Sequence, residues 1–174
     1  SLAVDREKAG EIIARAKAAG ANYLFTEGLE ILEAYGGNLA PWRVARSEEE
    51  LDAMADDLPY PVCLKVVSAD VVHKSDAGGI RLGIGDSDSL VESYRGLLAD
   101  VTARAPGAHV AGVLVQAMAP KGKEVMIGAR KDPVFGHCLV LGAGGVYTEV
   151  LDDHAFRLAP ITEAEAHEMI GELK

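Results

Sequence analysis

A lysine lies inside an otherwise apolar run, Val62-Cys63-Leu64-Lys65-Val66-Val67, and few folds can accommodate that arrangement. Pro59 and Pro61 precede the run and a polar stretch follows it, so its six residues read as a buried strand. The ammonium of Lys65 then needs an anionic partner or a route to water, because an isolated buried charge is costly. Residues 68–79 carry His73, Lys74 and Ser75 and end on Gly78 and Gly79, which permit close backbone approach or a positive φ. Ile80, Leu82 and Ile84 next alternate with Arg81 and Gly83 as a half-buried strand. A cation, a base and a hydroxyl are thus gathered on one loop between two strands, as phosphate chemistry requires. Plainer readings stand beside this one: a lysine at a strand edge, a surface histidine and a glycine hairpin turn.

Charge distribution narrows the ligand. The chain carries 17 basic and 27 acidic side chains, a net charge of −10, which argues against nucleic acid or an anionic membrane as partner. Residues 61–85 hold Lys65, Lys74 and Arg81 against Asp70 and Asp76. Residues 112–136 hold Lys121, Lys123, Arg130 and Lys131 against Glu124 and Asp132. Two locally positive islands in an acidic chain suit a small anion. No run of about 18 apolar residues occurs, and the charged N-terminal residues lack the apolar centre of a signal peptide. A cytoplasmic protein is expected. Cys63 and Cys138 show no metal-ligand spacing and are expected as free thiols.

Periodicity predicts α+β layers. Ala9, Ile12, Ile13 and Ala16 place a helix over residues 5–19, read as a leader. Thr26 is positioned to cap a second helix, and Ser47 with Glu50 forms a capping box for a third carrying Leu51, Met54 and Leu58. Trp42 to Ala45 is a short extended piece between them. Asp88 is expected to cap a helix through Val91, Tyr94, Leu98 and Val101, ended by Pro106-Gly107. Strands follow over residues 110–118, 123–130, 138–141 and 156–159, with a turn at Asp132-Pro133. Thr162 and Glu165 box a final helix that reaches Lys174. Hairpin-like strand pairs with intervening helices favour α+β over a parallel βαβ array.

Two other motifs are weaker. Gly142, Gly144 and Gly145 nearly match a dinucleotide fingerprint, but Tyr147 replaces the third glycine and too little chain follows. No Walker-type loop occurs. Asp152, Asp153 and His154 are adjacent as in a metal site, although neighbouring acids in a turn are usually solvated.

The ordered set Pro61-Val-Cys-Leu-Lys65-Val, Val72-His73-Lys74-Ser75-Asp76-Ala-Gly78-Gly79-Ile, Gly112-Val-Leu-Val-Gln116-Ala117-Met118, Glu124-Val-Met-Ile-Gly128, Asp132-Pro-Val-Phe-Gly136, Gly142-Ala-Gly-Gly145-Val-Tyr147-Thr-Glu149-Val and Phe156-Arg157-Leu-Ala-Pro160 resembles a known family. It is similar to the ATP-grasp domain of nucleoside-diphosphate-forming acyl-CoA synthetases, in the β-subunit form of ADP-forming acetyl-CoA synthetase. The resemblance implies an ATP-grasp fold of two α+β subdomains gripping ATP between them. After a leader over residues 1–23, these are expected at 24–111 and, incomplete, at 112–174.

Carried over by position, the resemblance implies that Lys65 contacts the phosphates and that Gln116, Ala117 and Met118 form the strand beside the adenine. Glu124 would reach the ribose, and His73 would be the phosphate-carrying histidine. Lys74, Ser75, Gly78 and Gly79 complete the expected nucleotide site. The family reaction converts acyl-CoA, ADP and phosphate reversibly into acid, CoA and ATP through acyl phosphate and phosphohistidine. An imidazole of reference pKa about 6.5 is a competent nucleophile near neutral pH, and a neighbouring lysine offsets phosphoryl charge. The expected partner is a CoA-binding subunit or a fused CoA-binding domain, in a hetero- or homo-oligomer. Magnesium ligands are expected beyond Lys174, so this stretch alone is expected to be inactive. A non-catalytic regulatory or assembly module, paired with or fused to an enzyme such as a protein acetyltransferase, is the alternative.

Overall fold

The computed structural model describes residues 3–21, 23–145 and 153–173. The readings placed on Tyr147, Glu149 and Asp152, and the reach of the last helix to Lys174, lie outside the described residues. Two compact units divide the chain, Ser1–Ala119 and Pro120–Lys174.

In the first unit the order is α1 (Arg6–Ala18), α2 (Thr26–Ala34), β1 (Trp42–Ala45), α3 (Glu48–Ala55), β2 (Val62–Val67), β3 (Ile80–Ile84), α4 (Ser87–Arg104) and β4 (Gly112–Ala117). The four strands form one antiparallel sheet in the order β1-β4-β2-β3. Strand alternation assigns Val62, Leu64 and Val66 of β2, Val113 and Val115 of β4 and Ala45 of β1 to one face. That face packs with Leu51 and Ala55 of α3 and with Leu90, Tyr94, Leu97 and Val101 of α4, a stripe at helical spacing. Each fully buried leucine contributes about 1.5–3 kcal/mol. The opposite face carries Lys65, Val67, Trp42, Val44 and Gln116.

Residues 1–23, expected as a leader, belong to this unit. Helix α1 buries Ala9, Ile12 and Ala16, and the Asp5 N–H donates to the Ala34 carbonyl at 2.7 Å. The boundary expected at residue 112 falls at the start of β4, which is bonded on both sides within the first sheet.

Several caps differ from the sequence reading. Asp86, not Asp88, caps α4: its carboxylate accepts from the Ser89 N–H, and the buried stripe moves to Leu90 and Leu97. Phe25 occupies the cap of α2 with no side-chain bond, and Thr26 is already helical. Ser47 accepts from the Glu50 N–H as a cap should, but the Glu50 carboxylate reaches the Arg46 N–H, leaving the box half formed. Leu82, expected to point inward, is 65% exposed, because Gly83 at φ +72° and a register shift break the alternation of β3.

In the second unit, β5 (Val125–Asp132), β6 (Gly136–Ala143) and β7 (His154–Leu158) form an antiparallel sheet, followed by α5 (Glu163–Glu172). The hairpin between β5 and β6 closes on the Asp132 carboxylate, which accepts from the N–H groups of Val134 and Phe135. Those bonds hold its carboxyl below the usual range. Thr162 and Glu165 form the expected reciprocal capping box at α5. Leu141, Ala155 and Met169 make the small core, with Ile161 and Leu173 against it. Antiparallel sheets with helices in both units give the α+β architecture that the sequence predicts.

Candidate functional site

Lys65 lies on the sheet face away from the first unit's core, half-buried. Its Nζ donates to the Gln116 side-chain oxygen at 3.0 Å, while the Gln116 amide nitrogen donates to the Ala40 carbonyl at 3.4 Å. The strand lysine is therefore held by a neutral acceptor, and an ammonium has three donors to offer. Two expected site residues, 51 positions apart, meet directly across β2 and β4. A cavity of about 480 Å³ opens in this unit, with Tyr23, Phe25, Trp42, Arg46, Val67 and Ser68 among its walls. Trp42 pairs with Gln116 in the sheet register, and its indole N–H donates to Glu33 at 2.8 Å.

At the end of β4, the Ala117 and Met118 N–H groups donate to the carbonyls of Pro41 and Pro61, both at 2.9 Å. Backbone donors in the expected adenine strand are therefore occupied within the chain.

Residues 73–79 form a single closed turn. The Ala77 N–H donates to the His73 carbonyl, Gly78 N–H to Ser75 and Gly79 N–H to Lys74. The last two bonds, with Gly78 at φ +68°, are the pattern that ends a helix in a left-handed residue. Close packing also requires both glycines. A Cβ on Gly79 would stand 2.5 Å from Val66 Cγ1, and one on Gly78 would stand 2.9 Å from the Asp100 Cβ. Their close approach is to the protein's own strand and helix. Arg81 secures this end: it donates to the Gly78 carbonyl at 2.8 Å and pairs with Asp100 at 2.6 Å.

His73 and Ser75 are exposed, whereas Lys74 is buried at 9%. The Lys74 ammonium stands 4.4 Å from the Phe25 ring centroid and 5.3 Å from that of Tyr23. His73 borders a shallow hollow of about 330 Å³ shared with Asp70, Asp76 and Arg104. Glu124 belongs to the second unit and is exposed. There Gly144 and Gly145 wrap it: the Gly144 N–H donates to its carbonyl at 2.8 Å, and a Cβ on Gly145 would meet its carboxylate at 2.7 Å.

The first unit thus joins Lys65 to Gln116 and gathers His73, Lys74, Ser75, Gly78 and Gly79 on one turn. Sequence reasoning missed Tyr23, Phe25, Trp42, Arg81 and Asp100 as residues that shape this region. An aromatic pair just before a helix was the available signal for the first two. Among the described residues no three His, Cys, Asp or Glu side chains gather as a metal site. Nor is any described helix long and apolar enough to cross a membrane.

Residues 15–174 match the family model described as an ATP-grasp domain. The chain is 49% identical over 173 residues to an ADP-forming acetate–CoA ligase I of Archaeoglobus fulgidus, covering 99% of this chain and 25% of that protein. It is 41% identical over 167 residues to the β subunit of ADP-forming acetate–CoA ligase I of Pyrococcus furiosus, covering 96% of this chain and 72% of that subunit. The chain therefore spans a quarter of the first relative and nearly three quarters of the second.

Acetyl-coenzyme A synthetase 1 of Candidatus Korarchaeum cryptofilum is also similar. With coenzyme A and Mg-AMPPCP bound, and its phosphohistidine segment pointing towards the nucleotide binding site, it gives a TM-score of 0.77 at 33% identity, covering 95% of this chain and 71% of that one. With coenzyme A, acetyl-coenzyme A and a phosphorylated segment in the site I orientation, it gives 0.81 at 34%, covering 95% and 72%.

Proposed function

This chain belongs to the ATP-grasp domain family, and we propose that it is the nucleotide-binding, phosphoryl-carrying part of an ADP-forming acyl-CoA synthetase. The observation that carries the proposal is His73: an exposed imidazole at the head of a turn whose own hydrogen bonds close it. A ring-nitrogen lone pair of His73 attacks phosphorus, and an N–P bond forms as the P–O bond to an acyl carboxylate breaks, releasing the acid. The terminal oxygen of ADP then attacks the same phosphorus; the N–P bond breaks, ATP forms and the imidazole is restored.

Lys65 and Gln116 are the residues suited to the nucleotide. The lysine retains donors for phosphate oxygens, and the amide fixes its direction without neutralising it. Glu124 is assigned to the ribose. Lys74, expected as a phosphate contact, holds its ammonium over the Phe25 and Tyr23 rings. Magnesium, which the resemblance implies and which offsets phosphate charge when bound, has no donor cluster among the described residues. The whole protein is proposed to be cytoplasmic and to take its acyl-CoA from a CoA-binding subunit or fused domain. The relatives give the regulatory alternative no support.

The test uses the full-length protein with its CoA-binding partner, magnesium and ATP. An acid-labile, base-stable phosphoryl adduct is expected on His73. His73→Ala should abolish ATP formation from acyl-CoA and leave nucleotide binding intact; undiminished turnover would remove His73 from the mechanism.

A further inference from the structure

We propose that Lys74 is a positioning residue, a releasable latch that holds the His73 turn against the first unit by its ammonium between the Phe25 and Tyr23 rings. The inference builds on the carrier role of His73 and assigns the neighbouring lysine a task of its own. Consecutive residues here have opposite surroundings, since His73 is exposed and Lys74 is buried. Among the described residues no carboxylate stands within ion-pair distance of that ammonium, and it makes no hydrogen bond. The faces of two aromatic rings, at 4.4 and 5.3 Å, are what the ammonium meets.

Both flanks of the turn are anchored, and Lys74 lies between them. At residues 78–79 the backbone is wedged against Asp100 and Val66 and bonded to Arg81, so movement there would disturb β2 and α4. Ahead of the turn Val71 is buried in the core, and between these two anchors the Lys74 cation seats on the rings while Arg104 donates to the Asp76 carbonyl at 3.3 Å. A segment fixed at both flanks moves in the residues between them, where His73 lies. Such movement is what a carrier needs if its histidine must meet a phosphoryl donor and a nucleotide in turn.

Removing the cation–π contact should lower the population of the seated turn by about twofold to thirtyfold. The decisive experiment is hydrogen exchange on the full-length protein with its CoA-binding partner, following the amides of residues 77–79. Phe25→Leu keeps an apolar side chain without the ring, and Lys74→Met keeps the length without the charge. Both should speed exchange of these amides about tenfold, with β2 and α4 unchanged, whereas Lys74→Arg should stay near the parent rate. In parallel, Lys74→Met should change kcat more than the KM for nucleotide.

Unchanged exchange in Phe25→Leu and Lys74→Met, or equally fast exchange in Lys74→Arg, would overturn the latch. Faster exchange with unaltered kcat would overturn its positioning role. Because exchange is read without turnover, a missing phosphoryl adduct on His73 would refute the carrier reading and leave a measured latch standing.

Discussion

The two units of this chain bury their sheets to different depths. In the first, β2 and β4 contribute Val62, Leu64, Val66, Val113 and Val115, all at or below 1% exposure, beneath two helices. In the second, one helix covers a three-stranded sheet, and Leu141, Ala155 and Met169 are the buried apolar residues among those described. Ile127, Phe156 and Leu158 on its strands are each more than half exposed. A unit with a closed core can hold the Lys65–Gln116 pair and the His73 turn in place by itself. A unit with so thin a core is suited to presenting a surface: Phe156 and Leu158 share the sheet face opposite the one that carries Leu141 and Ala155.

Core truncation should give the largest effect and the most direct way to break this comparison. Leu97→Ala should destabilise the first unit by about 2–5 kcal/mol. Met169→Ala should fall at the low end of that range in the second, where less packing surrounds it. Trp42 is the sole tryptophan, so its fluorescence during denaturation reports the first unit, and amide hydrogen exchange reads each unit separately. Equal losses would abolish the contrast.

Gly79→Ala comes next, at about 1–3 kcal/mol from overpacking. The new methyl would push on Val66 at the back of the sheet, so the same denaturation curve should shift although the change lies in a loop. An unshifted midpoint would separate the turn from the core.

Lys65→Ala should weaken ATP or ADP binding by about tenfold to a hundredfold, the range of a charge-assisted hydrogen bond. Calorimetry on the full-length protein checks this. Glu124→Ala in the second unit should cost less; the reverse ranking would shift nucleotide affinity to the thin-cored unit.

The smallest effect is set by acid. The hydrogen bond from Arg157, which joins β7 to α5, holds the Glu172 carboxyl below its ordinary value. Its contribution is therefore fully present above the ordinary carboxylate range and is lost as pH falls through the lowered folded value. Thermal melts of the parent should lose stability across that window more than those of Glu172→Gln. Glu172 is exposed and Arg157 partly so, and the difference should stay below that of Met169→Ala.

Local chemistry made much of the fold legible. The apolar run of β2, the Thr162 and Glu165 box and the Asp132 turn all form where their residues indicate. Choices between near-equivalent neighbours were not legible. Asp86 and Asp88 can each cap a helix, and the packing of Leu90 and Leu97 against the sheet favours the first. Likewise, Lys65 announced its need for a partner, but the partner lay 51 residues away on another strand. For Lys74 the sequence placed a cation beside His73, yet the rings that hold it come from the approach to α2. The paired glycines were readable as close contacts, and the sequence did not say that Val66 and Asp100 are what they approach.

The neutral partner of Lys65 has a consequence for ionic strength. An ammonium paired with a carboxylate would lose part of its fixing as salt rises, and its geometry would soften together with its charge. A hydrogen bond to the Gln116 amide has little for salt to screen, so the lysine keeps its direction while mobile ions shield only its attraction for an arriving anion. Added salt should therefore slow the arrival of nucleotide without loosening the group that receives it.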